Sequence, residues 1–141
     1  METYQELKKR QEGELNDFPI IFAFSNKQLE EGMNKHGLTI KDLDKIVSIG
    51  GGGFIKKTDA DALHDLFDKH HQEFDSAINR DLTGEGFIFE AFSYELNNHE
   101  YCVTGSIQDT IDSLGFTIEE IKSNSLLQHG LSLAMKAQPE Y

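Results

Sequence analysis

Cysteine is almost absent from this 141-residue chain: Cys102 stands alone, so no internal disulfide can form and nothing marks an oxidising compartment. A long apolar run is also missing. None follows the charged start from Met1 to Glu14, so neither secretion nor membrane insertion is expected, and the chain is placed in a cytoplasm. Basic side chains are scarce, 13 against 25 acidic ones, and the formal charge of −12 repels phosphate backbones and anionic membranes. That balance disfavours nucleic acid and lipid and points to protein partners or cations. With 38% apolar residues and ten phenylalanines the chain is too rich for disorder, and its length is that of a single globular domain over 1–141.

What the sequence has in excess is glycine at one place. Ile46-Val-Ser48-Ile49 is followed by Gly50, Gly51, Gly52 and Gly53, and then by Phe54-Ile-Lys-Lys57. Successive glycines carry a heavy ordering cost, because glycine loses the most backbone freedom on folding. The simplest reading is a hairpin of two short strands joined by a loop whose backbone approaches another element or a partner closely, with Ser48, Gly50, Gly51, Gly52, Gly53 and Phe54 as the candidate binding surface. A phosphate-binding loop is the competing reading, since Gly51 precedes Lys57-Thr58 by six residues. Against it, Lys56 occupies the position of the second required glycine, strand-like Phe54-Ile55 intervenes, and the following helix presents Asp59, Asp61, Asp65 and Asp68.

Along the rest of the chain, residues 2–15 are strong helix formers with a thin apolar stripe through Tyr4, Leu7, Gln11 and Leu15 or Phe18. Phe18-Pro-Ile-Ile-Phe-Ala-Phe24, opened by a proline, reads as a strand buried on at least one face. Ser25 and Gln28 form a capping box for a helix over 26–36 closed by Gly37, and Thr39 opens a short helical turn to Lys45. Thr58 is expected to cap the longest helix, whose apolar face runs through Leu63, Leu66, Phe67, His70, Phe74, Ala77 and Ile78. Residues 87–98 predict a central helix buried more than once around; Phe87, Phe89 and Ala91 alternate as in a strand, but Glu90, Ser93 and Asn97 fall on one helical stripe and narrowly favour the helix. Tyr101 to Thr104 reads as an extended connector, Ser106 as the cap of a helix ending at Gly115, Thr117 and Glu120 as a further capping box, and Ser125 as the start of a last helix to about 137. The expectation is α+β: about six helices packed on a small antiparallel sheet with strands near 19–24, 45–49 and 54–57.

Two segments echo each other. Met33 to Leu43 and Ile111 to Ile121 share a helix, a glycine, an apolar residue, a capping threonine, isoleucine, an acid and an apolar residue. A pair of helix-turn-helix DNA readers would need basic second helices, which a chain of charge −12 does not provide here. Two αα-corners packing the core are expected instead.

Candidate chemistry is sparse. His64, Asp68, His71 and Asp75 lie on one stripe of the long helix, where two imidazoles and two carboxylates could hold Zn²⁺, although such stripes also arise on solvated faces. His70 falls on the apolar side and reads as a hydrogen-bonded histidine at the core edge. His99, Glu100 and Cys102 gather a base, an acid and a thiol, but a lone cysteine between a helix and an extended segment is more often a small buried group than a nucleophile. His36 and His129, each near a glycine, suit helix C-termini.

In the segments Phe18 to Gln28, Ser48 to Lys57, Thr83 to Phe89 and Tyr94 to Cys102, nearly the whole chain resembles a family of small acidic proteins of unknown function encoded in phages and conjugative elements of gut Firmicutes. The resemblance brings no activity and no catalytic residue. It implies an accessory protein of a mobile element, a class that includes inhibitors of host defence, in which carboxylates can occupy a target's nucleic-acid channel. The expected function is a non-enzymatic protein-binding accessory or inhibitor, with no cofactor. The alternative is a small metal-dependent or nucleotide-handling enzyme using His64, Asp68 and His71 or the glycine loop.

Overall fold

The computed structural model describes residues 1–139. Helix α1 (Tyr4–Asn16) leads to β1 (Ile21–Phe22), α2 (Asn26–Lys35), a 3₁₀ turn (Ile40–Lys45), β2 (Ile46–Gly50) and β3 (Gly53–Lys56). A second 3₁₀ turn (Lys57–Asp59) precedes α3 (Ala60–Arg80), and then come α4 (Phe87–Asn98), α5 (Tyr101–Thr104), α6 (Gln108–Leu114), α7 (Ile118–Lys122) and α8 (Ser125–Ala137). The class is α+β and mainly helical. Among the described residues eight α-helices stand where about six were expected. The chain divides into two compact units, Arg10–His71 and the remainder, Met1–Lys9 with the chain from Gln72 onward.

In the unit Arg10–His71 the strands pair antiparallel in the order β1-β3-β2, with Ile21 opposite Phe54, Phe22 opposite Gly53, Val47 opposite Ile55 and Ser48 opposite Phe54. Residues opposite one another point to the same side of a sheet, and neighbours along a strand point to opposite sides. One side therefore carries Ile21, Ile46 and Phe54, which form a core with Met33, Leu29 and Leu38. Ser25 caps α2 by accepting from the Gln28 N–H at 3.2 Å, while the Gln28 side chain accepts from Phe24 N–H at 2.8 Å, one residue earlier than a capping box requires. Thr58 does not cap α3. It lies inside the 3₁₀ turn, whose own cap position, Lys56, makes no side-chain bond.

The other unit is built on α4, whose Phe87, Ile88, Ala91, Phe92, Glu95 and Leu96 are all buried. Tyr4, Leu7, Ala77, Ile111, Leu114, Leu127, Leu131 and Ala134 complete this core, with Tyr4, Phe74 and Phe87 rings meeting edge to face at 5.8 to 6.4 Å. A Cβ on Gly130 of α8 would collide with Ile88 of α4, so the missing side chain is what lets the two helices pack. Tyr101 to Thr104 is a helical turn and not the extended connector expected. The Glu100 carbonyl accepts from the N–H groups of Val103 and Thr104, and Gly105, left-handed at φ 70°, ends the turn. α8 begins at Ser125 as expected, and Asn124 caps it, accepting from Leu126 and Leu127 N–H. His36 sits at the C-cap of α2 as expected, whereas His129 lies inside α8.

The two corners have matching geometry. Leu38 N–H donates to Met33 O at 2.8 Å and Phe116 N–H to Ile111 O at 3.1 Å, each across a left-handed glycine at φ 76°. Reciprocal capping boxes then follow at Thr39/Asp42 and Thr117/Glu120.

The loop into α4 hangs on Asp81. Its carboxylate accepts from the N–H groups of Thr83, Gly84, Gly86 and Ile88 at 2.9 to 3.1 Å. Partial burial pushes its pKa up, but the donated N–H groups of Ile88, Thr83, Gly84 and Gly86 outweigh that and hold it below the ordinary aspartate value. Asp81→Ala is expected to cost about 2 kcal/mol in urea unfolding. Because the folded pKa is depressed, this stability is complete above the ordinary aspartate pKa of about 3.9 and is lost as pH falls through the folded value, so the difference between wild type and variant should close in acid.

Candidate functional site

The glycine stretch closes a tight hairpin. Gly50, Gly51 and Gly52 have φ of 87°, 58° and 78°, and Gly50 pairs with Gly53, which places Gly51 and Gly52 at the two central positions of a turn that needs positive φ at both. One irregularity in the ladder falls between Ser48 and Gly50, at Ile49. The chain leaves the turn into strand β3 and not into a helix, so the glycines do not present a helix N-terminus as a phosphate loop does. Of the candidate binding residues, Ser48, Gly50 and Gly51 are exposed, Gly52 and Phe54 are half-buried and Gly53 is buried.

Bareness at Gly52 and Gly53 has a packing reason. A Cβ at Gly52 would stand 2.5 Å from the Phe24 ring, and one at Gly53 would stand 2.9 Å from Cγ1 of Ile49, so both side chains lie over bare backbone. Ala23 N–H donates to Gly52 O at 2.8 Å and carries the β1 pairing out to the turn. The side of the sheet away from α2 bears Phe22, Phe24, Val47 and Ile49, exposed to 65%, 80%, 39% and 41%, together with Ile55, which lies opposite Val47 and is buried. None of these is charged, and β2 is an edge strand with its outer backbone groups unpaired within the sheet.

A second cluster, in the other unit, surrounds Glu95, only 1% exposed. Tyr4 Oη donates to its Oε1 at 2.7 Å and Lys8 Nζ at 2.5 Å, while Asn98 Nδ2 and Ser113 Oγ reach Oε2 at 3.4 Å and His99 Nε2 lies 3.3 Å from it. The Lys8 ammonium also lies 4.9 Å from the centre of the Tyr94 ring. Burial pushes the Glu95 pKa up, but the bonds from Lys8, Tyr4 and Asn98 and the Lys8 charge bring it below the ordinary glutamate value. A general acid at neutral pH needs the opposite shift. A buried, ionised and fully partnered carboxylate reads as an anchor tying α1 to α4. The sequence signal for it was Glu95 falling on the Ile88, Ala91 and Phe92 arc of α4, in the middle of the apolar face.

His64 Nε2 lies 3.3 Å from Asp68 Oδ2 on an exposed face of α3, and His71 is exposed further along the same helix. His70 is indeed at the edge of the packing, with Nε2 3.4 Å from Glu14. Glu14 also accepts from Lys69 at 2.9 Å, and the Lys69 bond holds its carboxyl below the usual range, opposed by burial and helped by His70. His99 turns toward Glu95, and Cys102 is half-buried in α5.

Residues 3–137 match the model of a family of unknown function, DUF7659. The chain belongs to that family. No curated protein and no solved structure matches it. Among the described residues no helix is long and apolar enough to cross a membrane.

Two measurements check these assignments. Gly52→Ala should destabilise by about 2–3 kcal/mol, from positive φ plus the overlap with Phe24, whereas Gly51→Ala, which has open space around its Cβ position, should cost only about 1 kcal/mol. Glu95→Ala should cost about 3 kcal/mol by leaving buried partners unmatched. Its contribution is complete above the ordinary glutamate pKa of about 4.3 and is lost as pH falls through the depressed folded value.

Proposed function

We propose that this chain is a non-enzymatic protein-binding module, an accessory or inhibitor protein of a mobile element working in a cytoplasm. The observation that carries the reading is the tight glycine turn within Ser48 to Phe54 beside the open β2 edge. Bare backbone on an edge strand recognises another chain through main-chain hydrogen bonds. Glu95, the most buried carboxylate, is held ionised by partners and is not tuned for proton transfer at neutral pH, which agrees with a binding role. The formal charge of −12 adds long-range steering toward a basic partner surface.

The experiment is capture from a bacterial lysate with wild-type protein at low and high salt, followed by identification of what is retained. A specific protein recovered by wild type and lost with Ser48→Arg at the hairpin tip is the expected result. Recovery of nothing at either salt concentration would remove the proposal. The rival reading rests on the His64 and Asp68 pair at 3.3 Å, and metal content of untagged protein together with nucleotide thermal-shift measurements tests it.

A further inference from the structure

The end of α1 and the first half of α3 border a groove that shares no residue with the hairpin. Its floor is apolar, made by Phe18 and Pro19 in the segment leaving α1 and by Ala62 and Leu66 on α3, and its volume is about 380 Å³. A groove of that size takes a side chain or a small ligand. All of its residues lie within the unit Arg10–His71.

The rim is charged, with one sign in excess. Asp65 and Lys69 stand one turn apart on α3, the spacing at which an acid pairs with a base that follows it. Lys69 turns instead to Glu14 of α1, donating to both carboxylate oxygens at 2.9 and 3.2 Å. Asp65 is left exposed with no ion pair among the described residues, and so is Asp17 on the α1 side. The last turn of α1 holds no basic residue, and Asp17 follows Asn16 directly. The negative end of the helix dipole and a carboxylate thus stand together, where a cation is favoured.

Glu14 is neutralised by Lys69, which leaves Asp17, Asp65 and the α1 C-terminus uncompensated beside an apolar floor. That sign of charge excludes phosphate-bearing ligands, and a hydrated metal ion gains nothing from the apolar floor. The fitting occupant is a cation with an apolar body.

We infer that the groove holds an arginine-bearing segment of a protein partner. The arginine stem lies over Phe18, Pro19 and Leu66, and its guanidinium meets the carboxylates of Asp17 and Asp65. Guanidinium suits this place better than an ammonium, because it is less strongly hydrated and stacks on aromatic faces. Apolar residues flanking the arginine extend the contact along the floor. The inference rests on the protein-binding reading and adds to it the chemistry of the partner. Capture from lysate reads the hairpin through Ser48→Arg, whereas affinity for a basic peptide reads the groove, so the two are judged apart.

The test is fluorescence anisotropy of a short labelled peptide of alternating arginine and leucine, titrated with the full chain at about 0.15 M salt. A peptide of alternating arginine and serine keeps the charge and removes the apolar body. Two double variants are compared: Asp17→Asn/Asp65→Asn at the groove, and Glu30→Gln/Glu31→Gln on α2, which removes the same formal charge from exposed positions outside the groove lining. Because all four positions are exposed, each variant should keep the wild-type circular dichroism spectrum and melting temperature. The groove variant is expected to weaken binding by about fivefold or more and the α2 variant by less than about twofold. The serine peptide should bind wild type more weakly than the leucine peptide. No binding of the leucine peptide up to about 1 mM chain, equal losses in the two double variants, or equal affinity for the two peptides would each overturn the inference. Equal losses would make the attraction a property of net charge alone.

Discussion

A helix buried around most of its circumference leaves a carboxylate on that surface two options: neutralise, or gather partners enough to stay ionised. Glu95 on α4 takes the second course. Tyr4 and Lys8 come to it from α1, Asn98 and His99 from the end of its own helix, and Ser113 from α6. Those bonds set the register of α1 against α4 more narrowly than apolar packing alone would, because hydrogen bonds have direction and dispersion contacts do not. The aromatic contacts of Tyr4 with Phe74, Phe87 and Tyr94 then follow from where the Tyr4 hydroxyl must go.

In the unit Arg10–His71 the governing constraint is steric. Three consecutive positive φ values fold β2 back on β3 in the shortest connection, and two bare Cα positions admit Phe24 and Ile49 over the backbone. The outcome is a small sheet with Met33 and its neighbours packed on one side, while on the other Ile55 is buried and Phe22 and Phe24 stay exposed.

Much of the fold was legible in short-range signals. The capping boxes at Thr39 and Thr117, the left-handed glycines at 37 and 115, the hairpin and the periodicity of the long helix are local, and each is specified by residues within one turn of each other. Local reading failed where a non-local or longer turn won. Tyr101 to Thr104 closed into a helix because Glu100 accepts a left-handed φ of 58° and Gly105 caps the other end, and Thr58 lost its capping position to a 3₁₀ entry. Of the polar stripe expected at Glu90, Ser93 and Asn97 only Asn97 is exposed, the Ser93 hydroxyl is buried, and Glu95 lies on the buried arc.

The amino-acid sequence by itself determined the α+β class, the acidic surface, the glycine turn and the absence of any carboxylate from the sheet segments, since composition and local dihedral preference do not depend on distant contacts. Tertiary structure alone decided which side of the sheet α2 would occupy and which carboxylate would be enclosed. Alternation in a strand of two residues followed by Ala23 and Phe24 says that sides differ but not which one α2 will occupy, and that choice is made by Met33, Leu29 and Leu38 packing on Ile21 and Ile46.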